Sequence, residues 1–182
     1  MILSTRQFLI LFLVALIISI AIVLSLGKIN YGERSSPTQA EKIVWPIKLT
    51  VSLNRIAFFV GEEVNVTLQL ANVSNETITL PFQTPIKFDF MISDESLQTI
   101  YVYSYTIGSA AIGSYIKLEP GEALCQTLAW NQKRLDSSYN EEQVGPGTYF
   151  VFGKTFYLDY VGRNGQEINE IKAEKIQIEI RA

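Results

Sequence analysis

The sequence predicts an all-β protein, an antiparallel sandwich preceded by one N-terminal transmembrane helix. Three observations carry that prediction. Apolar and polar residues alternate with a period of two along most of the chain from Trp45 onward, as in strands buried on one face. Pro, Gly, Asn and Asp punctuate those runs at short intervals, and no segment after Trp45 shows a helical period. By contrast, Phe8 to Leu26 (FLILFLVALIISIAIVLSL) is apolar on every face and carries no charge.

The chain has 182 residues, of which 48% are hydrophobic and 18% charged, so it is too apolar to be disordered. Beyond the first forty residues about 140 remain, enough to bury roughly two-thirds of the unfolded surface without disulfides or metal. A net charge of −3 with scattered Lys and Arg gives no footprint for nucleic acid. Cys125 is the single cysteine, which excludes an intrachain disulfide. In the strand-like run ALCQTL it reads as a small buried hydrophobe, against the sharper alternative of a reactive thiol or intermolecular bridge. Histidine is absent altogether. That removes Ser-His and Cys-His dyads, the commonest zinc ligand and the usual base near neutral pH.

Residues 1–7 form a short N-terminal tail. Residues 8–26 follow as the transmembrane anchor, nineteen residues spanning about 29 Å as a helix, close to a bilayer's apolar core. A cleaved signal peptide is the alternative, with Ser25 and Gly27 suited to the cleavage site, but the apolar run is longer than a typical signal-peptide core. Orientation is contested. Only Arg6 and the α-amino group precede the helix, while Lys28, Arg34 and Lys42 follow it, which opposes an inside N-terminus. The start near Met1 and the Asn-x-Ser/Thr sequons at Asn65, Asn72 and Asn75 favour a domain outside the cytoplasm. They also predict glycans near one hairpin, on its solvent side. The localisation expected is a single-pass cell membrane protein, or a secreted one if the segment is cleaved. Residues 27–42, rich in small and polar side chains, read as a flexible tether.

The β domain is then 43–182. Ile47, Leu49, Val51 and Leu53 alternate with polar residues, and Phe58 to Glu62 turns the chain. Val64, Val66, Leu68 and Leu70 alternate strictly with Asn65, Thr67 and Gln69, which puts Asn65 on the solvent face. Asn72 to Asn75 make a hairpin turn. Ile86–Ile92 and Thr99–Thr106 read as paired strands, followed by a loop of small residues, 107–114. Glu119-Pro120-Gly121-Glu122 fits a type II turn. Strands follow at 122–130, 149–157 and 174–180, with a long polar loop at 131–145. Eight or nine short strands of this kind indicate an immunoglobulin-like antiparallel β-sandwich.

No catalytic site, cofactor site or metal site is predicted, so the chain reads as a non-enzyme. Asp89 between Phe88 and Phe90 faces away from them, solvated or bonded to main chain. Glu62-Glu63 and Glu141-Glu142 are neighbours in loop-like settings and read as solubilising charge rather than an acid/base pair. No acidic loop has the regular spacing of a calcium site. Tyr101, Tyr103 and Tyr105 fall on one side of a strand, as core packing or, if exposed, as a protein-binding ladder.

Several stretches in order resemble one family. They are Gly61-Glu62 before an alternating strand, Leu70-Ala71-Asn72-Val73-Ser74-Asn75, Phe88-Asp89-Phe90, Leu118-Glu119-Pro120-Gly121-Glu122, Trp130 and Pro146-Gly147-Thr148-Tyr149. Together they are similar to the BsuPI-type intracellular proteinase inhibitor domain, over roughly Lys48 to Gly153. The resemblance implies a protein-binding role with a protease as partner, possible inhibition of a subtilisin-like serine protease included. The alternative is a structural or adhesive module of the cell envelope with no protease target. For a protease-contact loop, Ile107, Gly108, Ser109, Ala110, Ala111 and Ile112 are small, apolar and uncharged. The competing loop is 131–145, with Lys133-Arg134-Leu135 as a basic bait. The first is preferred because charged flexible side chains cost more to order and desolvate.

Overall fold

The computed structural model describes residues 38–108, 110–135, 141–162 and 165–182. The chain divides between Ser35 and Ser36 into two units. The predicted tail, the predicted membrane helix and most of the predicted tether therefore lie outside the described residues. Among the described residues no helix is long and apolar enough to cross a membrane.

In chain order the strands are β1 (Gln39–Val44), β2 (Ile47–Leu53), β3 (Ala57–Phe59), β4 (Val64–Asn72), β5 (Ile78–Phe82), β6 (Phe88–Ser93) and β7 (Thr99–Val102). After a 3-10 turn at Tyr103–Tyr105 come β8 (Ser114–Leu118), β9 (Ala123–Trp130), β10 (Lys133–Leu135), β11 (Glu141–Gln143) and β12 (Gly147–Thr155). Short β13 (Tyr160–Val161) and β14 (Glu167–Ile168) precede β15 (Ile176–Arg181). One sheet runs β1-β2-β4-β9 and the other β3-β15-β12-β6-β7, with β5-β8, β10-β11 and β13-β14 as separate pairs. All pairings are antiparallel except β3 with β15.

The two larger sheets share one hydrophobic core. Val64, Val66, Leu68 and Leu70 of β4 are fully buried, as are Phe88, Phe90 and Ile92 of β6 and Val151 of β12. Period-two burial is the physical consequence of the pleat, because alternate side chains leave on opposite faces. Where β12 crosses the other sheet, there is no room for a side chain. A Cβ on Gly153 would sit 2.4 Å from Cγ2 of Val51 and 2.8 Å from Cδ2 of Leu68. A row of rings also threads the core. Tyr103 stacks on Phe90, Phe90 contacts Tyr101, Tyr101 contacts Trp130, and Trp130 meets Tyr149 edge-on, at centroid distances of 5.6, 5.6, 6.2 and 5.9 Å.

Two turns repeat one construction. In Phe59–Glu62, the Phe59 N–H donates to Glu62 Oε2 (2.7 Å) and the Glu62 N–H donates to the Phe59 carbonyl (3.1 Å). In Glu119–Glu122, the Glu119 N–H donates to Glu122 Oε2 (2.8 Å) and the Glu122 N–H to the Glu119 carbonyl (2.9 Å). Gly61 and Gly121 sit at φ +86° and +78°, the left-handed region such turns demand of their third residue.

The structure corrects several expectations. Residues 39–42, expected in the tether, belong to a strand, because residues 39–44 pair with β2. Phe58 and Phe59, expected in a turn, belong to a short strand parallel to β15. The polar loop 131–145 contains the β10-β11 hairpin. The strand expected to run to Thr106 ends at Val102, so the three tyrosines form no ladder: Tyr101 is buried, Tyr103 half-buried and Tyr105 exposed. Cys125 is exposed rather than buried, since it faces outward opposite Gln69 on β4.

Candidate functional site

Residues 107–113 leave the 3-10 turn after β7 and return into β8. Each foot of this connection is held by side chains that the sequence pattern does not single out for the task. At the first foot, Asp89 is buried on β6, and its carboxylate accepts from the Ser104 N–H (2.9 Å) and the Ser104 hydroxyl (2.8 Å). Of the two expected settings for Asp89, solvated or bonded to main chain, the structure shows the second, with the Ser104 hydroxyl as an added donor. Burial pushes the Asp89 carboxyl above the ordinary carboxylate value, against the lowering effects of the Ser104 bonds and of Lys154. Two residues on, the Thr106 N–H and hydroxyl both donate to the Tyr103 carbonyl, at 2.9 and 2.8 Å.

At the second foot, the Ser114 hydroxyl donates to the Thr84 carbonyl (2.6 Å), and Lys87 Nζ donates to the same carbonyl (3.3 Å) and to Ser114 Oγ. Lys87 also lies 4.6 Å from the centroid of the Phe82 ring, and burial lowers its pKa. A lysine against a serine resembles a catalytic dyad. Here the serine hydroxyl is committed to a main-chain oxygen, so the pair braces the turn.

Between the feet, Gly108, Ala110, Ala111 and Ile112 are exposed, Ile112 to 66%, and Ile107 is half-buried. Ser109 lies outside the described residues. The preferred contact segment is thus exposed, uncharged over its described part and anchored on both sides.

The competing segment is built otherwise. Lys133 is ion-paired to Glu141 across the β10-β11 hairpin at 2.7 Å, and residues 136–140 lie outside the described residues. Gln132, which no sequence pattern singled out, is fully buried at φ +57°. Its Oε1 accepts from the Gly61 N–H (2.9 Å) and its Nε2 donates to the Phe59 carbonyl (2.8 Å). Its own carbonyl accepts from the Val144 N–H and from Gln143 Nε2, both at 2.9 Å. Tyr149 adds a bond from its hydroxyl to the Gly145 carbonyl (2.9 Å).

The three sequon asparagines are not equivalent. Asn65 and Asn75 are exposed. Asn72 is 1% exposed; its Nδ2 donates to the Glu76 and Leu118 carbonyls (2.7 and 3.0 Å), and its Oδ1 accepts from the Ser74 N–H and hydroxyl (2.9 and 2.7 Å). That corrects its expected place on the solvent side. The expected hairpin is not formed either, since β4, which carries Asn65 and Asn72, pairs with β2 and β9, and β5 pairs with β8. Among the acidic pairs, Glu62 caps its own turn and bonds Arg55 at 2.9 Å, and Glu141 pairs with Lys133. Among the described residues, no three acidic or cysteine side chains gather into a metal-holding group.

The turns that carry the sequence resemblance are therefore built parts of this domain, and the match to known families coincides with them. The model for the BsuPI intracellular proteinase inhibitor family matches residues 51–154. The chain belongs to the BsuPI family. The matched span includes the Gly61 and Gly121 turns, Asp89 and the whole 107–113 connection. Membership brings a proteinase-inhibitor-like function and a protease as the implied partner. No curated protein matches the chain.

Among solved structures, a β-glucosidase from Listeria innocua in complex with glucose is similar at 15% identity and a TM-score of 0.43, over 78% of this chain. This chain spans only 16% of that enzyme's length. The alkylpurine DNA glycosylase AlkC of Pseudomonas fluorescens, bound to DNA, gives 13% identity and 0.40, over 77% of this chain and 32% of its own. The C-terminal domain of wzt gives 7% and 0.44, over 81% of each chain. At such scores these likenesses bear neither on this BsuPI domain's fold nor on its function.

Proposed function

We propose that this chain is an immunoglobulin-like proteinase inhibitor domain that meets a subtilisin-like serine protease through residues 107–112. The observation that carries the reading is the loop with two braced feet. An inhibitor that inserts an extended loop into a cleft gains from having that loop ordered beforehand, because less conformational freedom is lost on binding. Asp89–Ser104 at one foot and Ser114–Thr84 at the other supply that restraint, and the exposed, uncharged middle leaves main chain free of long side chains.

The immunoglobulin-like assignment draws support from the strand order. Three consecutive neighbours β2-β4-β9 face β15-β12-β6-β7, and β3 joins the second sheet parallel to the last strand. The Tyr149 hydroxyl bonded four residues back, near the start of β12, matches the tyrosine corner of such sandwiches. A binding rather than catalytic role accords with a chain that has no histidine. Residues 8–26 serve in this reading as a single-pass anchor, residues 27 onward lead to the domain, and the domain lies outside the cytoplasm.

The test uses the full-length chain against a panel of subtilisin-like proteases. Replacing 107–112 by a Gly/Ser linker should abolish inhibition with the thermal melt unchanged, whereas replacing 136–140 should leave it intact. Equal inhibition by the first variant and the parent overturns the loop. No inhibition by the parent of any protease in the panel favours the structural module instead. Membrane fractionation with and without residues 8–26, with N-terminal sequencing of the mature chain, tests the anchor: soluble parent protein starting after Gly27 overturns it.

A further inference from the structure

The turn between β1 and β2 carries Trp45, 67% exposed although tryptophan is the side chain with most to gain from burial. Its indole borders a cleft of about 500 Å³, within the roughly 300–1,000 Å³ range of small-ligand sites. Tyr160 provides a second aromatic wall, and Asn75, Thr79 and Gln166 provide amides and a hydroxyl around it, while the Thr77 hydroxyl donates to Glu119 Oε2. The only charged side chain among the described lining residues is Glu76. This cleft is remote from the protease-contact segment: it opens beside Ile78, while residues 107–113 enter β8 opposite Phe82, at the other end of the β5-β8 pair.

The wall that carries Trp45 is fixed. Val44 pairs with Ile47 directly across the turn, and the Val73 N–H donates to the Pro46 carbonyl at 2.9 Å. The backbone that presents the indole to the cleft is therefore held by main-chain bonds.

We propose that this cleft binds an uncharged saccharide, one pyranose ring lying against the Trp45 indole. A sugar ring has an apolar C–H face and a rim of hydroxyls. The cleft offers the counterpart of each, an exposed aromatic face and a ring of neutral donors and acceptors. A phosphorylated or carboxylated ligand would need cationic partners, and the described lining supplies none. A lipid chain would find too many polar groups, each costing free energy when left dry.

The experiment titrates the full-length, unglycosylated chain with neutral disaccharides, cellobiose, maltose, mannobiose and diacetylchitobiose, in a medium free of sugar-headed detergent. Trp130 is fully buried and Trp45 exposed, so a ligand-induced blue shift of the red-edge emission reports Trp45. At least one disaccharide should produce it, with a Kd of about 1 mM or tighter. Calorimetry should then show binding about tenfold weaker in Trp45→Ala and weaker again in Trp45→Ala with Thr79→Val, with Trp130 emission unchanged as proof of folding. Failure of all four sugars to move the emission, or full affinity in Trp45→Ala, overturns the proposal. Inhibition of a protease is not read in either assay, so the two proposals fail separately.

Discussion

Residues 131–145 and residues 107–113 are the two connections that compete for the role of protease contact, and the fold treats them differently. The first is tied down along its described residues. A buried glutamine, a two-stranded hairpin and a tyrosine hydroxyl bind it to the Phe59–Glu62 turn and to β12. The second is braced at its feet, through Asp89–Ser104 and Ser114–Thr84, and exposes Gly108 and Ala110 to Gly113 between them. Composition already prefers 107–112, because the charged, flexible side chains of 131–145 cost more to order and desolvate. The bonding of 131–145 points the same way, because a connection whose main-chain and side-chain groups are internally satisfied has little left for a partner.

The largest effect should come from Gln132. Its amide bonds two main-chain groups of a turn distant in sequence, and its truncation strands both. Gln132→Ala should cost about 2–3 kcal/mol, lowering Tm by about 8 °C. Alanine at a positive φ adds strain, so Gln132→Asn, which tolerates that conformation but falls one methylene short, isolates the lost bonds. If both variants melt like the parent, 131–145 is not tied down through Gln132 and the contrast is wrong.

The two Gly-Glu turns sharpen the same contrast, since only one of them is joined to the tied connection. A Cβ at Gly61 or Gly121 meets nothing within 4 Å, so the cost of alanine is backbone strain alone, about 1–2 kcal/mol at each. The two melts should fall equally. A markedly larger loss at Gly61 would mean that the Gln132 bond depends on the turn's shape. Next in size is Tyr149→Phe, which removes the bond to the Gly145 carbonyl and should cost about 1 kcal/mol, since that carbonyl lies near solvent and is rehydrated.

How far these features were legible in sequence follows from their range. Alternation within one strand is local, so β2, β4 and β15 are visible as patterns, and so is the Glu119–Glu122 turn. The parallel pairing of β3 with β15 joins residues more than a hundred positions apart, and three residues are too few to show a period. Tyr101, Tyr103 and Tyr105 share one face only if the period is carried past Val102, where the chain coils into a 3-10 turn. Cys125 reads as buried because a strand is half-buried by composition; which half faces outward depends on the register with β4. The contact segment itself was legible as small and uncharged. Its feet were not, because Asp89–Ser104 and Ser114–Thr84 span 15 and 30 residues.

The smallest effect concerns the first of those feet and is a matter of sign. Asp89 is 1% exposed, and its desolvation outweighs the bonds from Ser104 and the attraction of Lys154, so its carboxyl holds a proton more tightly when folded than the ordinary value of 3.8. Between 3.8 and that raised value the folded state binds more protons than the unfolded state. Stability from this group is then present in full at pH below 3.8 and is lost as pH rises through the folded pKa. Asp89→Asn keeps the shape and an oxygen for the Ser104 N–H but has no such titration. Melts of the two proteins followed from about pH 8 down to about pH 4 should run parallel at first. The parent should then gain on the variant as its carboxylate takes up a proton, by about 3 °C or less. Were the Ser104 bonds and Lys154 the stronger influence, the parent would lose ground on the variant as pH fell. That outcome would make Asp89 a favourable anion at the foot of the loop, and the foot would be held by charge where desolvation now argues for a strained carboxylate kept in place by its two serine bonds.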